Sequence, residues 1–259
     1  MEKYVFGNRV FLWVLLFCLV SVRCTEMDED SIVETINSQM LTWTTTARFK
    51  HYESGFFLHS HEIAYGSGSG QQSVTALEAD NDAGSLWTVK EANGEPLCLT
   101  GERIKWGQKI RIEHMNTEKN LHTHTYSSPV SNRQEVSWFG SNGIGDNYDN
   151  WFIECKDKVN GEFIEGKTYF YLKHEVTSAY LYAEKRSMYD NNNCRYCPIK
   201  GQLEISASKS KDNKALWRYV SGYFYSPIDK SVDEKSTPVD DVGDFVDDYD
   251  EDDNIKTDL

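Results

Sequence analysis

The chain has 259 residues, 39% of them hydrophobic, and a formal net charge of −14. The charge is concentrated at the ends. Residues 226–259 hold 13 acidic side chains against Lys230, Lys235 and Lys256, a net of −10, and residues 25–42 add −5 while the first 24 add +2, which leaves about −1 for residues 43–225. A body so nearly neutral excludes the clustered Lys and Arg of a nucleic-acid footprint.

At the N-terminus, Lys3 and Arg9 precede an apolar run from Val10 to Val20. A spanning helix needs about 20 apolar residues, so this shorter run predicts a secretory signal peptide over residues 1–24, cut near Ser21 to Cys24. No other segment approaches that length, and the expectation is a mature chain with no membrane span. An acidic segment, 25–42, leads into a folded unit over 43–225.

That unit repeats itself. His51, His114 and His174 each stand seven residues before a leucine, Leu58, Leu121 and Leu181. The runs Gln72-Ser73-Val74, Gln134-Glu135-Val136-Ser137 and Leu203-Glu204-Ile205-Ser206 follow in the same order, and then Trp87, Trp151 and Trp217. Between these landmarks lie β-branched and aromatic runs such as Ile110 to Glu113 and Tyr169 to Leu172, punctuated by Gly66 to Gly70, Asn142-Gly143 and Asn191 to Asn193. No stretch shows a sustained helical period. Three copies of short strands share one core most simply around a pseudo-threefold axis, because one copy alone has too little apolar surface to bury. The sequence therefore predicts an all-β chain and a β-trefoil, with the three leucines, Val74, Val136, Ile205 and the three tryptophans inward. A β-sandwich is the rival, but it does not require a threefold repeat.

Cys18 and Cys24 fall within the signal peptide, so Cys98, Cys155, Cys194 and Cys197 remain, and four cysteines allow three pairings. The short Cys194-Arg195-Tyr196-Cys197 spacing favours one local and one long-range bridge. Cys98 and Cys155 follow Trp87 and Trp151 at the ends of equivalent repeats, and a bridge between them is expected to close a loop of 56 intervening residues, stabilising by roughly 3–5 kcal/mol in the chain-entropy model. A redox reading of the CxxC needs a helix start, whereas Asn191 to Asn193 and Pro198 read as loop.

His59/His61 and His122/His124 are His-x-His pairs, and alternate strand residues share a face. Tyr182 and Glu184 hold the corresponding places in the third copy, so a zinc site with three or four ligands is not expected; the set is metal none, cofactor none. Asp146 and Asp149 lie in a Gly- and Asn-rich loop without a nucleophile motif, and Gly66 to Gly70 is not followed by the helix of a phosphate loop. The chain is expected not to be an enzyme. Residues 226–259, with Asp240-Asp241 and Asp247 to Asp253, have too little apolar surface to order and are expected to form a disordered, solubilising tail.

The run Leu58-His59-Ser60-His61-Glu62-Ile63-Ala64-Tyr65-Gly66 through Thr75 resembles the first MIR repeat of stromal cell-derived factor 2-like proteins. Gly107 to Arg111, Asn120 to His124, Ser128-Pro129, Gln134 to Ser137, Phe139-Gly140 and Gly145-Asp146 resemble the second. The third repeat departs from the pattern. The resemblance implies residence in the endoplasmic reticulum lumen, with secretion as the alternative, and a place in protein quality control and the unfolded protein response. It also implies association with a DnaJ-type co-chaperone and, through it, with the lumenal Hsp70, on unfolded or O-mannosylated clients. Lys256-Thr257-Asp258-Leu259 resembles a KDEL-type retrieval signal. Two readings of the surface follow: a partner-binding module, or a lectin-like trefoil that takes mannose-type glycans. Either would use His59, His61, Tyr65 and Gln72 of the first repeat and His122, His124, Tyr126 and Gln134 of the second.

Overall fold

The computed structural model describes residues 40–156 and 167–225. The described residues form twelve strands: β1 Thr46–His51, β2 Phe57–Ala64, β3 Gln72–Leu77, β4 Trp87–Glu91, β5 Lys109–His114, β6 Asn120–Ser127, β7 Gln134–Phe139, β8 Trp151–Cys155, β9 Phe170–His174, β10 Tyr180–Met188, β11 Leu203–Ser208 and β12 Trp217–Tyr223. Each group of four carries one short 3-10 turn before its last strand, at Ala83–Ser85, Asn147–Asp149 and Asn213–Ala215. Alternate residues share a face, as in any strand: along β1, Ala47, Phe49 and His51 are buried while Thr46, Arg48 and Lys50 face outward.

Pairing closes two rings. Strands β1, β4, β5, β8, β9 and β12 form a six-stranded antiparallel barrel, each hydrogen-bonded to the next and β12 back to β1. The hairpins β2–β3, β6–β7 and β10–β11 form a cap in which β3 pairs with β7, β7 with β11 and β11 with β3. This is the β-trefoil expected from the repeat. Closure removes open barrel edges, which would otherwise invite pairing with other chains.

The core lies where barrel and cap meet. Leu58, Leu121, Leu181, Val74, Val136, Ile205, Trp87, Trp151 and Trp217 have no exposed surface, and each such aliphatic side chain contributes about 1.5–3 kcal/mol on burial. Each of these three tryptophans also donates its indole N–H to the leucine carbonyl of its own repeat: Trp87 to Leu58 at 2.9 Å, Trp151 to Leu121 at 2.9 Å and Trp217 to Leu181 at 3.1 Å. The landmark residues are thus one bonded unit used three times.

Two expectations are corrected. The folded body begins before residue 43, since Met40, Leu41 and Thr42 are buried, Leu41 O accepts from Ile104 N at 3.2 Å, and Thr42 bridges to Arg103. The signal peptide, most of the acidic segment 25–42, and the tail with Lys256 to Leu259 lie outside the described residues. The cysteine pairing is only half as expected: Cys194 and Cys197 are bonded, but Cys98 and Cys155 are free thiols. The two cysteines follow their repeat tryptophans at different distances and so leave the barrel at different places. Cys155 ends β8 opposite Phe170, while Cys98 leaves β4 on a separate loop and packs against the core edge with its thiol 3.8 Å from Pro96 O. Among the described residues no helix is long and apolar enough to cross a membrane.

Candidate functional site

His51, His114 and His174 end the first strand of each repeat. In every case Nδ1 meets a hydroxyl three residues on, Ser54 at 2.9 Å or Thr117 and Thr177 at 2.8 Å. Nε2 meets a carbonyl in the 3-10 turn of the preceding repeat: Lys214 O at 3.0 Å, Gly84 O at 3.1 Å and Tyr148 O at 3.0 Å. The rings lie against Trp217, Trp87 and Trp151 at 4.9, 4.4 and 5.0 Å between centroids. Burial lowers the pKa of all three to about 4. They are neutral rivets between repeats, bonded to backbone as their place at a strand end predicts.

The His-x-His pairs point outward from the cap hairpins toward the same turns. His59 Nε2 is 3.0 Å from His61 Nδ1, and His59 Nδ1 approaches Ser85 Oγ at 3.3 Å and Asp82 at 3.4 Å. Burial lowers His59 to about 4 and lowers His61 as well. In the second repeat the place of Ser85 is taken by Asp149, so His122 Nδ1 meets a buried carboxylate at 2.8 Å, with Asp146 at 3.7 Å. Burial raises the Asp149 carboxyl, with His122 pulling it back. One donor atom from each of His122, Asp146 and Asp149 falls within 4.8 Å of the others. These atoms already serve the fold: Asp149 also accepts from Asp146 N at 2.8 Å, and Asp146 caps the turn by accepting from Tyr148 N at 2.8 Å.

The third repeat replaces this arrangement with an ion cluster. Buried Glu184 accepts from Lys214 and Arg133 at 2.6 Å each and from Arg186 at 2.9 Å, while Arg133 lies over the Tyr182 ring at 4.6 Å. Burial opposes the charge of Glu184, but the three cations win and hold its pKa near about 2. Arg133 belongs to the second repeat, so the cluster ties two repeats together. Among the described residues this place is not repeated threefold: it is imidazole with hydroxyl, imidazole with carboxylate, and carboxylate with cations.

The other expected surface residues divide sharply. Tyr126 is 55% exposed and stands edge-on to His124 at 4.6 Å. Tyr65 is buried, its hydroxyl 3.0 Å from both Val74 O and Val136 O inside the cap. Tyr126 is not its counterpart: Tyr65 N bonds Gln71 O as Ser128 N bonds Arg133 O and Tyr189 N bonds Gln202 O. Gln72 donates to Ser60 and Thr117 at 2.8 and 3.2 Å, and Gln134 to Thr123 and Thr177 at 2.8 and 2.9 Å. Both glutamines sew one repeat's cap to the next repeat's hairpin turn. The CxxC loop packs Cys194, Cys197 and Ile199 with Tyr65, Ile63 and Val130 over the cap. The Gly66 to Gly70 loop delivers Ser69 to buried Glu135 rather than to a phosphate.

Sequence context set Asp149 aside as a loop residue and did not single out Trp138. Aligning the repeats on the tryptophans would have flagged both. Ser85, Asp149 and Ala215 each stand two residues before the repeat tryptophan, and Trp138 occupies the place of Ala76 and Ala207, two after Val74, Val136 and Ile205. Each is the odd member of its set.

Comparison with known proteins agrees with this construction. The MIR domain family matches residues 57–218. The chain is 40% identical over 188 residues to a stromal cell-derived factor 2-like protein of Dictyostelium discoideum, covering 71% of this chain and 84% of that one. It is 41% identical over 170 residues to human stromal cell-derived factor 2-like protein 1, covering 66% and 72%. The crystal structure of the SDF2-like protein from Arabidopsis thaliana superposes with a TM-score of 0.67 at 31% identity, covering 73% of this chain and 99% of that one. A threefold β-trefoil bonded through its histidines and tryptophans, matched over nearly all of its described length, places the chain in the stromal cell-derived factor 2-like family of MIR-domain proteins.

Proposed function

We propose that the protein is a non-catalytic binding module of the endoplasmic reticulum lumen that serves protein folding and quality control together with a DnaJ-type co-chaperone and its Hsp70. The observation that carries the non-catalytic part is the fate of the histidines. His51, His114 and His174 have both ring nitrogens engaged, Nδ1 within their own repeat and Nε2 with the preceding one. General acid–base chemistry wants such a group poised near neutral pH and open to a substrate. The lumenal partner rests on the family resemblance, and the leader at residues 1–24 and the C-terminal Lys256 to Leu259 support the compartment.

The docking face we favour is the outer strand of the second repeat, where exposed Tyr126 stands over His124. The test is capture of a purified DnaJ-type co-chaperone by the full chain. Replacing exposed Tyr126 with alanine is expected to weaken capture while leaving the unfolding midpoint nearly unchanged, because surface substitutions away from the core usually cost little; His124 is partly buried beside Glu135, so its alanine variant is checked for folding before capture is read. Unaltered capture would remove that face from the proposal. Sugar transfer or hydrolysis abolished by Asp146→Asn would overturn the non-catalytic reading. Deleting the last four residues is expected to increase secretion, and unchanged secretion would mean that this signal is inert or that a partner does the retaining.

A further inference from the structure

An open groove of about 720 Å³ runs along the junction of the first and second repeats, floored by Gln72 and Trp138 and rimmed by Glu62, Lys119 and Phe139. Gln72 on β3 and Trp138 on β7 are register partners across the cap, which sets directly opposed side chains on one face with Cβ atoms about 4.5–5.5 Å apart. Trp138 is 1% exposed and Gln72 5%. The Trp138 indole N–H and the Gln72 Oε1 are both buried without a hydrogen-bond partner.

The orientation of the Gln72 amide follows from its neighbours. Ser60 Oγ spends its one proton on Ser73 O at 2.7 Å, so toward Gln72 it can only accept, and it does so from Nε2 at 2.8 Å. A hydroxyl has one donor and two acceptor sites. Nε2 therefore faces Ser60 and Thr117, and Oε1 is left over. The indole is fixed as firmly, stacked on Trp87 at 4.2 Å and 12°. A buried donor and a buried acceptor left unmade are each costly, and here both belong to opposed residues that line one groove.

We propose that this groove binds a neutral sugar ring. A ring hydroxyl is donor and acceptor at once, so it can accept from the Trp138 N–H while donating to the Gln72 Oε1. Glu62 and Lys119 at the rim cancel in charge and offer further hydrogen bonds to neighbouring hydroxyls, and Phe139 supplies an apolar face for the C–H side of the ring. The site is single. At the other two cap junctions Gln134 faces Ala207 and Leu203 faces Ala76, so neither has an indole to present. The residues differ from the His-x-His faces, and the inference stands apart from co-chaperone capture.

The indole N–H resonances of the 15N-labelled full chain provide the test, with Trp138→Phe assigning the Trp138 signal among the seven tryptophans. The probes are the methyl glycosides of mannose, glucose and galactose, with N-acetyl-triglycine amide as a peptide probe. At least one glycoside is expected to shift the Trp138 signal saturably at one site per chain, and Gln72→Met to weaken that binding about tenfold. Calorimetry on Trp138→Phe, which removes the N–H together with part of the ring, should show the same loss without any reliance on Gln72, with urea unfolding checking that the variant is folded. Four results would overturn the proposal: no shift with any glycoside, a shift with the peptide alone, equal affinity in Gln72→Met, or glycoside binding unaltered in Trp138→Phe. A Trp138→Phe protein that loses the glycoside yet captures the co-chaperone normally would separate this site from partner binding.

Discussion

Acid should destabilise this fold in a defined window, through His51, His114 and His174. Each is essentially without exposed surface and neutral in the folded state, with a pKa lowered by burial to about 4. In the unfolded chain a histidine takes up its proton near pH 6.5. The unfolded state therefore binds more protons at every pH between these values, so the stability from these residues is complete above the unfolded pKa and falls as pH drops from about 6.5 toward 4. Between about pH 7.5 and about pH 5.5 the linkage relation gives a loss of roughly 1.3 kcal/mol per histidine, or roughly 4 kcal/mol for the three. The assay is urea unfolding followed by tryptophan fluorescence at both pH values. Replacing all three by glutamine keeps a side chain able to bond both partners but removes the titration, and it should flatten the pH dependence by that amount whatever it costs at neutral pH. An equal pH dependence in the wild type and the triple variant would refute the reasoning.

Trp151→Phe should cost about 1–3 kcal/mol in urea unfolding beyond the ring's change in volume, because it leaves the buried Leu121 carbonyl without its donor. Glu184→Gln should destabilise by breaking the Arg133 and Lys214 bridge. Because the Glu184 pKa is depressed, its contribution is complete above the unfolded value and lost as pH falls toward about 2, so the gap between wild type and variant should narrow in acid. Mass mapping of the mature protein should find Cys98 and Cys155 as free thiols and Cys194 joined to Cys197. Replacing Cys194 and Cys197 by serine should cost only roughly 2 kcal/mol, because the loop that the bridge closes is so short.

The architecture was readable because a threefold repeat imposes the same physical demand three times. Leucine, valine or isoleucine and tryptophan recur at one spacing, and only a shared axis buries all of them together. The three strand-end histidines were readable for the same reason, since a polar ring beside a buried tryptophan must find backbone partners. Repetition was also what misled. It suggested that Cys98 and Cys155 would meet because both follow a repeat tryptophan, whereas Cys155 is still in its strand and Cys98 lies beyond the end of the matching one. It offered Tyr126 as the counterpart of Tyr65, although the backbone pairing aligns Ser128 there.

The pattern of the chain by itself determined the strands, the inward set and the closed threefold fold, because these depend on side-chain polarity and period, which are local. The cross-repeat partners were decided only in three dimensions. Asp149 comes under His122, Arg133 reaches Glu184, and Gln72 faces Trp138 because closing the cap brings the edge of one repeat onto the next. Those contacts join residues 27 to 66 positions apart, and each depends on which residue breaks the repeat rather than on which one keeps it.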